Sequence, residues 1–473
     1  MSDLDTELTS DNYPLVRPLS NDFDNDLLLS YHAIKPLADI YRIVSQFGRD
    51  RKCIFTGGMA IDLALKSRGG YIYSNFDIDF DFFSTQFHTD AFDLTKILMQ
   101  SFEPQRLNAI GAMHPSTMRV RYNWQPVADI TQVPQEIYEK IPTLTIPVKK
   151  SKPYIIVHPC FQMIDQHFSM SQMYANEPMM NILGRCKKDF QRYFKLAHYF
   201  DIGAELLAIV GATKKQPANT KKQPANTKTL ITAFFDLLKT DKISNVCLGG
   251  ETALEFWTNN VELHTPDTLV LYSNKPLEVR DAILKLDNKL TPTYTQRLLD
   301  KIPQFISMGP FEIHDITHLW IAAKLQKNVW YAAPHTIGSM FMTRATIHKS
   351  VADAKMYIKL HELLKSTIKN TDNPQKSAEI LFCPTYFGSE KIAESRYNVV
   401  KRQCQAQSDD KKGPQLVPRN YYPANSSAPD YGFDPKKSEL FDFNGVEISE
   451  KNFHTEETPK SCDSVLTKSQ FFI

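Results

Sequence analysis

Cysteine is scarce and scattered in this chain of 473 residues. No two cysteines are separated by just two residues, and none stands close to a group of histidines, as zinc sites and redox motifs require. The pattern argues against a structural zinc site and favours a reducing compartment. The seven cysteines are Cys53, Cys160, Cys186, Cys247, Cys383, Cys404 and Cys462.

The chain also lacks long apolar runs and a strong net charge. No uncharged apolar stretch approaches about 18 residues, so we expect no membrane-spanning segment. Residues 1–26 are rich in aspartate, unlike a secretory signal or a mitochondrial presequence. The formal net charge is only +2, so any contact with a polyanion is expected through local basic patches.

Helical and strand periodicities alternate along the first 330 residues, which predicts an α/β protein with mixed sheets. The tandem repeat of KKQPANT at 214–227 has no apolar positions and contains helix-breaking proline, so it predicts a solvated loop whose lysines are a minor candidate for RNA contact. The predicted segments are an acidic leader and N-terminal helix (1–50), a catalytic domain (51–160), a helical connector with the repeat loop (161–240), a degenerate second domain with helices (241–385), and a C-terminal helix with an extended or partly disordered tail (386–473).

A paired glycine and three acidic positions carry the chemical signal. A short strand leads into Gly57 and Gly58 and then a helix, an arrangement that lets backbone N–H groups approach a phosphate. Asp77 and Asp79 follow on a predicted strand, where residues two apart share one face. Asp129 is a single acidic residue in a later apolar strand. If these strands are neighbours, the carboxylates form a site for hard divalent cations.

Asp81 leaves the choice of pair open. It alternates with Asp77 and Asp79 on the same face of the predicted strand, and the outer two would lie roughly 13 Å apart. We favour Asp77 and Asp79 because they come first along the strand, and we keep Asp81 as the alternative ligand.

The ordered set of a glycine pair, an acidic strand and a third aspartate resembles the polymerase β-like nucleotidyltransferase superfamily. Within it, the sequences at 127–142, 158–165 and 185–195 resemble poly(A) polymerase catalytic subunits of poxviruses and other large cytoplasmic DNA viruses. The clear resemblance covers about 53–199. One departure is Gly58, where many members have a serine that contacts a phosphate, so that contact would fall to backbone N–H groups.

The resemblance implies a polynucleotide adenylyltransferase that adds AMP from ATP to the 3′ end of viral mRNA without a template. Asp77, Asp79 and Asp129 would then bind Mg²⁺ or Mn²⁺ in a two-metal in-line mechanism, and Gly57 and Gly58 would lie under the nucleotide. It also implies a methyltransferase-like stimulatory subunit as partner. The expected location is the host cytoplasm and viral factory, with packaging in the virion as a further expectation.

A basic stripe follows the acidic strands. Arg185, Lys188, Arg192 and Lys195 recur at helical spacing, which by itself indicates a solvated face. The family resemblance places part of such a stripe against the triphosphate. We therefore name Lys188 and Arg192 as candidate nucleotide-binding residues, because an ammonium and a planar guanidinium both suit phosphate.

The strand, glycine pair and helix recur at Gly249 and Gly250, 192 residues after Gly57 and Gly58. The same offset without gaps places Leu269 and Leu271 opposite Asp77 and Asp79, and Asp315 echoes Asp129 at a different offset. Leucine cannot bind a hard cation. The hypothesis is a second nucleotidyltransferase-like domain that has lost its metal pair and is structural or RNA-binding.

Two other functions remain open. A CCA-adding or uridylyl-adding enzyme would have the same acidic site, because base choice depends on a few pocket hydrogen bonds that the sequence does not locate. A catalytically inactive RNA-binding scaffold is the rival from another class, and the intact acidic set in the first copy argues against it.

Overall fold

The structure is a computed structural model. It describes residues 35–72, 80–112, 116–172, 179–211, 227–240, 242–258, 266–299, 301–317, 319–369, 374–383, 385–388 and 421–423. Asp77, Asp79, the KKQPANT repeat, most of the C-terminal tail and the first part of the predicted N-terminal helix lie outside these residues.

The first half of the chain forms one mixed sheet with helices packed against it. Its elements are α1 (Lys35–Asp50), β1 (Ile54–Thr56), α2 (Gly57–Lys66), β2 (Phe80–Ser84), α3 (Phe87–Met99), β3 (Leu107–Gly111), β4 (Thr117–Tyr122), β5 (Gln125–Gln132), α4 (Gln135–Tyr138), β6 (Thr143–Ile146), β7 (Tyr154–Val157), α5 (Pro159–Ser171), α6 (Met179–Tyr199) and α7 (Ile202–Ile209).

The second half repeats this alternation. Its elements are α8 (Thr227–Lys239), β8 (Cys247–Leu248), α9 (Gly250–Thr258), β9 (Leu269–Ser273), α10 (Pro276–Leu286), β10 (Thr293–Thr295), β11 (Phe305–Met308), β12 (Phe311–Asp315), β13 (Trp320–Gln326), β14 (Val329–Ala332), α11 (Pro334–Ile347), α12 (Val351–Lys369), α13 (Pro374–Phe382), β15 (Tyr386–Gly388) and β16 (Tyr421–Pro423).

The two sheets have the same strand order. The first runs β16-β3-β4-β5-β2-β1-β7-β6 and the second β10-β11-β12-β9-β8-β14-β13-β15. Seven strands correspond one to one, from β3 and β10 at one side to β6 and β13 at the other, and the parallel and antiparallel pairings agree. A strand, glycine pair, helix and strand therefore recur in the second half, as the duplication hypothesis requires.

Local sequence explains how α2 begins and ends. Gly57 opens the helix with φ +68°, a backbone conformation that glycine adopts without steric penalty. At the other end Gly69 has φ +88°, and Gly70 N–H donates to the Leu65 carbonyl over 2.9 Å. A glycine with positive φ just past the last turn is a common helix termination.

Helices α5 and α11 occupy corresponding positions after β7 and β14, and they pack against each other. At their contact His167 Nδ1 lies 3.0 Å from His335 Nδ1, and His167 Nε2 lies 2.7 Å from the Tyr357 hydroxyl on α12. A continuous core connects the two sheets through these helices. The two copies thus share one interface instead of standing apart on a linker.

The α/β fold class predicted from the sequence is confirmed, whereas the predicted segment boundaries stay predictions. Part of the C-terminal tail contacts the body, because β16 pairs antiparallel with β3. Among the helices that the structure describes, none is both long and apolar enough to cross a bilayer.

Candidate active site

Gly57 lies in close contact with an acidic side chain. A Cβ atom at this glycine would sit 1.8 Å from Oδ2 of Asp81. The same glycine is held by α5, because Gln162 Nε2 donates to its carbonyl over 2.8 Å and Thr56 Oγ1 donates to Gln162 Oε1 over 3.2 Å. The absence of a side chain at Gly57 therefore makes room for the Asp81 carboxylate at the start of α2.

Asp81 and Asp129 face each other on neighbouring strands. They are register partners in the parallel pairing of β2 with β5, while Asp81 is opposite Thr56 on β1. On the far side, Arg119 of β4 is the register partner of Asp129. Arg119, Asp129, Asp81 and Thr56 thus form a row across four strands, with two adjacent carboxylates at its centre.

Arg119 binds Asp129 through two hydrogen bonds. Its Nε donates to Oδ1 over 2.7 Å and its Nη2 to Oδ2 over 2.5 Å, a bidentate arrangement. The side chains are 30% and 13% exposed, so the ion pair lies at the edge of solvent. Arg119 was not among the site residues predicted from the sequence. The alternation in β4 could have indicated it, because the buried Met118, Val120 and Tyr122 leave the arginines on the opposite face of the strand.

The acidic pair fits a divalent cation in chemistry and position. Carboxylate oxygens are the ligands that Mg²⁺ prefers, and two neighbouring carboxylates repel each other unless a cation neutralises them. No group of three metal-binding side chains occurs among the described residues, which do not include 73–79. The predicted ligands Asp77 and Asp79 lie outside the described residues, whereas the alternative ligand Asp81 lies within them.

The basic stripe lies on α6, which packs against α2. Lys188 is exposed, and Arg192 is mostly buried with Nη1 3.5 Å from Asp189 Oδ1. Lys195 donates to the Tyr71 carbonyl over 2.8 Å, just before the segment that leads to the acidic strand. The Arg185 side chain is outside the described part. The stripe therefore flanks the helix that begins at Gly57.

The second sheet has a counterpart of this site, which two serines locate. Ser84 Oγ accepts from Gln86 N–H and Ser273 Oγ accepts from Lys275 N–H. Each serine carbonyl also accepts an N–H from the chain that follows β5 or β12. Counting back three residues from each serine aligns Val270 with Asp81.

Glu312 occupies the position of Asp129, because it pairs with Val270 as Asp129 pairs with Asp81. The gap-free alignment was therefore wrong. Leu269 and Leu271 lie in a core cluster, and Asp315 pairs with Ser273 as Gln132 pairs with Ser84. Small differences in strand and loop length shift the two copies, so one constant offset cannot align them.

Glu312 is neutralised from within the protein. Arg344 of α11 donates to its carboxylate, and His314 Nε2 lies 3.4 Å away. Burial favours the protonated form, but the hydrogen bond with His314 and the charge of Arg344 lower the pKa of Glu312 to about 2. The second copy thus has a guanidinium beside its one retained carboxylate and an apolar side chain in place of the other.

Comparison with known proteins places this site in a matched segment. Residues 42–176 match the family model described as poly(A) polymerase catalytic subunit. A protein from a Malawi tick isolate of African swine fever virus, named as a candidate poly(A) polymerase catalytic subunit, is 37% identical over 161 residues, which are 34% of this chain and 33% of that protein. Its counterpart from a Kenyan pig isolate is 36% identical over 161 residues, with the same coverage.

The chain spans about a third of the length of the curated relatives it matches. The crystal structure of the Megavirus polyadenylate synthase is similar over 87% of this chain and 86% of that chain, with TM-score 0.64 and 16% sequence identity. At this identity the likeness shows the fold. The resemblance expected from the sequence motifs is confirmed, and Gly57, Asp81 and Asp129 all lie within the matched segment.

We predict that Gly57→Ala destabilises the protein more than Gly69→Ala does. Both glycines have positive φ, but a Cβ at Gly69 meets nothing within 4 Å. Strain alone should cost about 1 kcal/mol at Gly69, whereas strain plus the clash with Asp81 should cost about 3 kcal/mol at Gly57. Urea unfolding measures both, and equal losses would contradict the close approach.

A second prediction concerns Glu312→Gln. Because its pKa is lowered from 4.5 to about 2 in the folded protein, the carboxylate contributes stability that is present above pH 4.5 and is lost as the pH falls towards 2. Wild type should exceed the variant in unfolding free energy at pH 6 by on the order of 3 kcal/mol, and this difference should shrink at pH 3. Glu278→Gln, at an exposed ion pair with Lys275, is the control. A difference independent of pH would contradict the charged pair.

Proposed function

We propose that this chain is a polynucleotide adenylyltransferase, which transfers AMP from ATP to the 3′ end of RNA without a template. The observation that carries the proposal is the register of Asp81 with Asp129 beside Gly57. This arrangement lies in the segment that matches the poly(A) polymerase catalytic subunit family. A likeness to a polyadenylate synthase fold over most of the chain adds support.

We propose Asp81 and Asp129 as ligands of Mg²⁺ or Mn²⁺, with Asp79 as the third. Asp79 is two residues before Asp81, so an extended chain would present both on one face. Asp77 is four residues away, roughly 13 Å along an extended strand. The register with Asp129 therefore favours Asp79 and Asp81 over the pair Asp77 and Asp79, which stays the competing prediction.

The proposed reaction is an in-line displacement at the α-phosphorus of ATP. When bound, two divalent cations would stabilise the charge on the attacking and leaving oxygens. Asp129 would accept the proton of the RNA 3′-hydroxyl while the 3′ oxygen of the RNA forms its bond to the α-phosphorus. The bond between the α-phosphorus and the bridging oxygen then breaks, and pyrophosphate leaves.

The N-terminus of α2 is the proposed cradle for the triphosphate. Helix N-termini offer free N–H groups and a positive dipole end, and Gly57 and Gly58 let phosphate oxygens come close. Lys188 and Arg192 would add charge from α6, which packs on α2. The ion pair of Arg192 with Asp189 would orient its guanidinium.

The second copy is proposed to be structural or RNA-binding. Because Val270 stands where the first copy has Asp81, this copy does not have two carboxylates in register, and Arg344 binds its Glu312. The stimulatory subunit and the cytoplasmic or virion location stay predictions from the resemblance.

Primer extension tests the function. The protein, an RNA primer and Mg²⁺ or Mn²⁺ should give extension with ATP and little with CTP, GTP or UTP. Asp81→Asn and Asp129→Asn should each reduce the rate about 1,000-fold, or about 4 kcal/mol of transition-state stabilisation. Asp93→Asn, at an exposed ion pair with Arg51, should leave the rate unchanged.

Three other outcomes would contradict parts of this proposal. Extension with CTP or UTP would identify a CCA-adding or uridylyl-adding enzyme instead. RNA binding without extension would indicate a scaffold. Loss of activity in Asp77→Asn but not in Asp81→Asn would restore the competing metal pair.

Lys188→Ala should raise the apparent KM for ATP roughly 10-fold, the loss of about 1.4 kcal/mol of charge-assisted phosphate binding. The KM for the RNA primer should change little. The control is Lys239→Ala, an exposed lysine on α8. An unchanged KM for ATP would remove Lys188 from the nucleotide site.

A further inference from the structure

Arg119 lies directly against Asp129, one of the proposed metal ligands. Its two hydrogen bonds occupy both carboxylate oxygens of Asp129, and Asp129 is the register partner of Asp81 on its other side. A guanidinium does not lose its proton in proteins, so Arg119 can release Asp129 only by moving. The protein therefore already contains a cation at the edge of the acidic pair.

We propose that Arg119 is a resident counter-ion that neutralises Asp129 until a divalent cation binds, and that it competes with this cation for the carboxylate. The inference rests on the proposed function, because it takes Asp81 and Asp129 as metal ligands. Arg119 is thus a positioning residue, which sets how tightly the empty site takes up metal.

The environment of the ion pair suits a removable contact. Arg119 is 30% exposed in its side chain and Asp129 13%. A partly exposed ion pair contributes little net stability, because water solvates the separated charges well. Arg119 comes from a neighbouring strand of the same sheet, so withdrawal of its side chain need not disturb the core.

The second copy shows the contrasting case. Glu312 stands at the position of Asp129, but the guanidinium that binds Glu312 comes from Arg344 on the buried helix α11. Arg344 also lies over the Phe305 ring, 5.8 Å from its centroid. Since Val270 replaces the other carboxylate, this copy keeps the internal cation without a second carboxylate ligand. The first copy has both carboxylates and a more exposed arginine.

Arg121 provides a matched control. It is two residues from Arg119 on the same strand, and among the described residues the hydrogen bonds to the Asp129 carboxylate come from Arg119 and not from Arg121. Burial lowers the pKa of Arg121, and the positive charge of Arg119 lowers it further, whereas the negative charge of Asp129 raises it. Arg121 is therefore close enough to both residues to feel their charges. Replacing Arg121 removes a nearby positive charge but leaves the Arg119–Asp129 contact in place.

The test is Mn²⁺ binding to the full-length protein without ATP or RNA, followed by electron paramagnetic resonance of free Mn²⁺. Arg119→Met should bind Mn²⁺ about 10-fold more tightly than wild type, because both the competitor and its repulsive charge are gone. Arg119→Lys should bind Mn²⁺ with an intermediate affinity, since it keeps the positive charge and loses the bidentate contact. Arg121→Met should change the affinity less than about 3-fold, as expected of a charge outside the contact.

Thermal unfolding gives an independent readout. In EDTA, Arg119→Met should melt at a lower temperature than wild type, because Asp129 then loses the ion pair with Arg119. Saturating Mn²⁺ should raise its melting temperature by more than it raises that of wild type. Equal Mn²⁺-induced shifts in the two proteins would contradict the competition.

Other outcomes separate this inference from the proposed function. Unchanged or weaker Mn²⁺ binding in Arg119→Met, or equal tightening in Arg121→Met, would overturn the competition while leaving the metal site standing. If Asp129→Asn bound Mn²⁺ as wild type does, the metal site itself would be wrong. In the Asp129→Asn background, Arg119→Met should change the Mn²⁺ affinity less than about 3-fold, since the contact is already lost and only the effect of the nearby charge remains.

Discussion

The register of two aspartates on neighbouring strands is the constraint that organises the first half of this molecule. Asp81 and Asp129 are held in register by the parallel pairing of β2 and β5, and Gly57 leaves no side chain in the space that Asp81 fills. Such a pair is unfavourable unless a positive charge lies beside it. The protein supplies that charge through Arg119, and the proposed reaction would supply it through divalent cations. The strand register, the start of α2 and the charged side chains therefore all lie at the same place in the sheet.

Duplication gives the same scaffold two different electrostatic solutions. Both sheets share strand order and a positive-φ glycine at the start of the following helix, Gly57 in one and Gly250 in the other. In the second copy Val270 removes one carboxylate and Arg344 neutralises the remaining Glu312. A carboxylate with a permanent internal partner stabilises the fold, whereas a pair at the edge of solvent can exchange its partner. The contact of α5 with α11 then joins the two copies through a common core.

Local patterns in the sequence were sufficient for much of this description. The glycine pair, the helix it opens, its glycine termination and the strand with Asp129 all follow from neighbours in sequence, because capping and alternation are short-range effects. The choice among Asp77, Asp79 and Asp81 was different. Alternation alone would place all three on one face of a strand, so it does not distinguish them, and the register of Asp81 with Asp129 on β5 favours Asp81. That register depends on how two strands about fifty residues apart align, which alternation does not encode. The alternation in β4 indicates the face on which Arg119 lies, but its pairing with Asp129 and that of Glu312 with Arg344 are contacts between elements, which local patterns do not encode.

The most direct test of the central claim is a crystal structure with Mn²⁺ and a non-hydrolysable ATP analogue, located by anomalous scattering of the metal. We expect a Mn²⁺ peak within about 2.3 Å of carboxylate oxygens from both Asp81 and Asp129, with the triphosphate at the start of α2. A Mn²⁺ site that involves neither of these carboxylates, or only one, would rule out the proposed ligand pair.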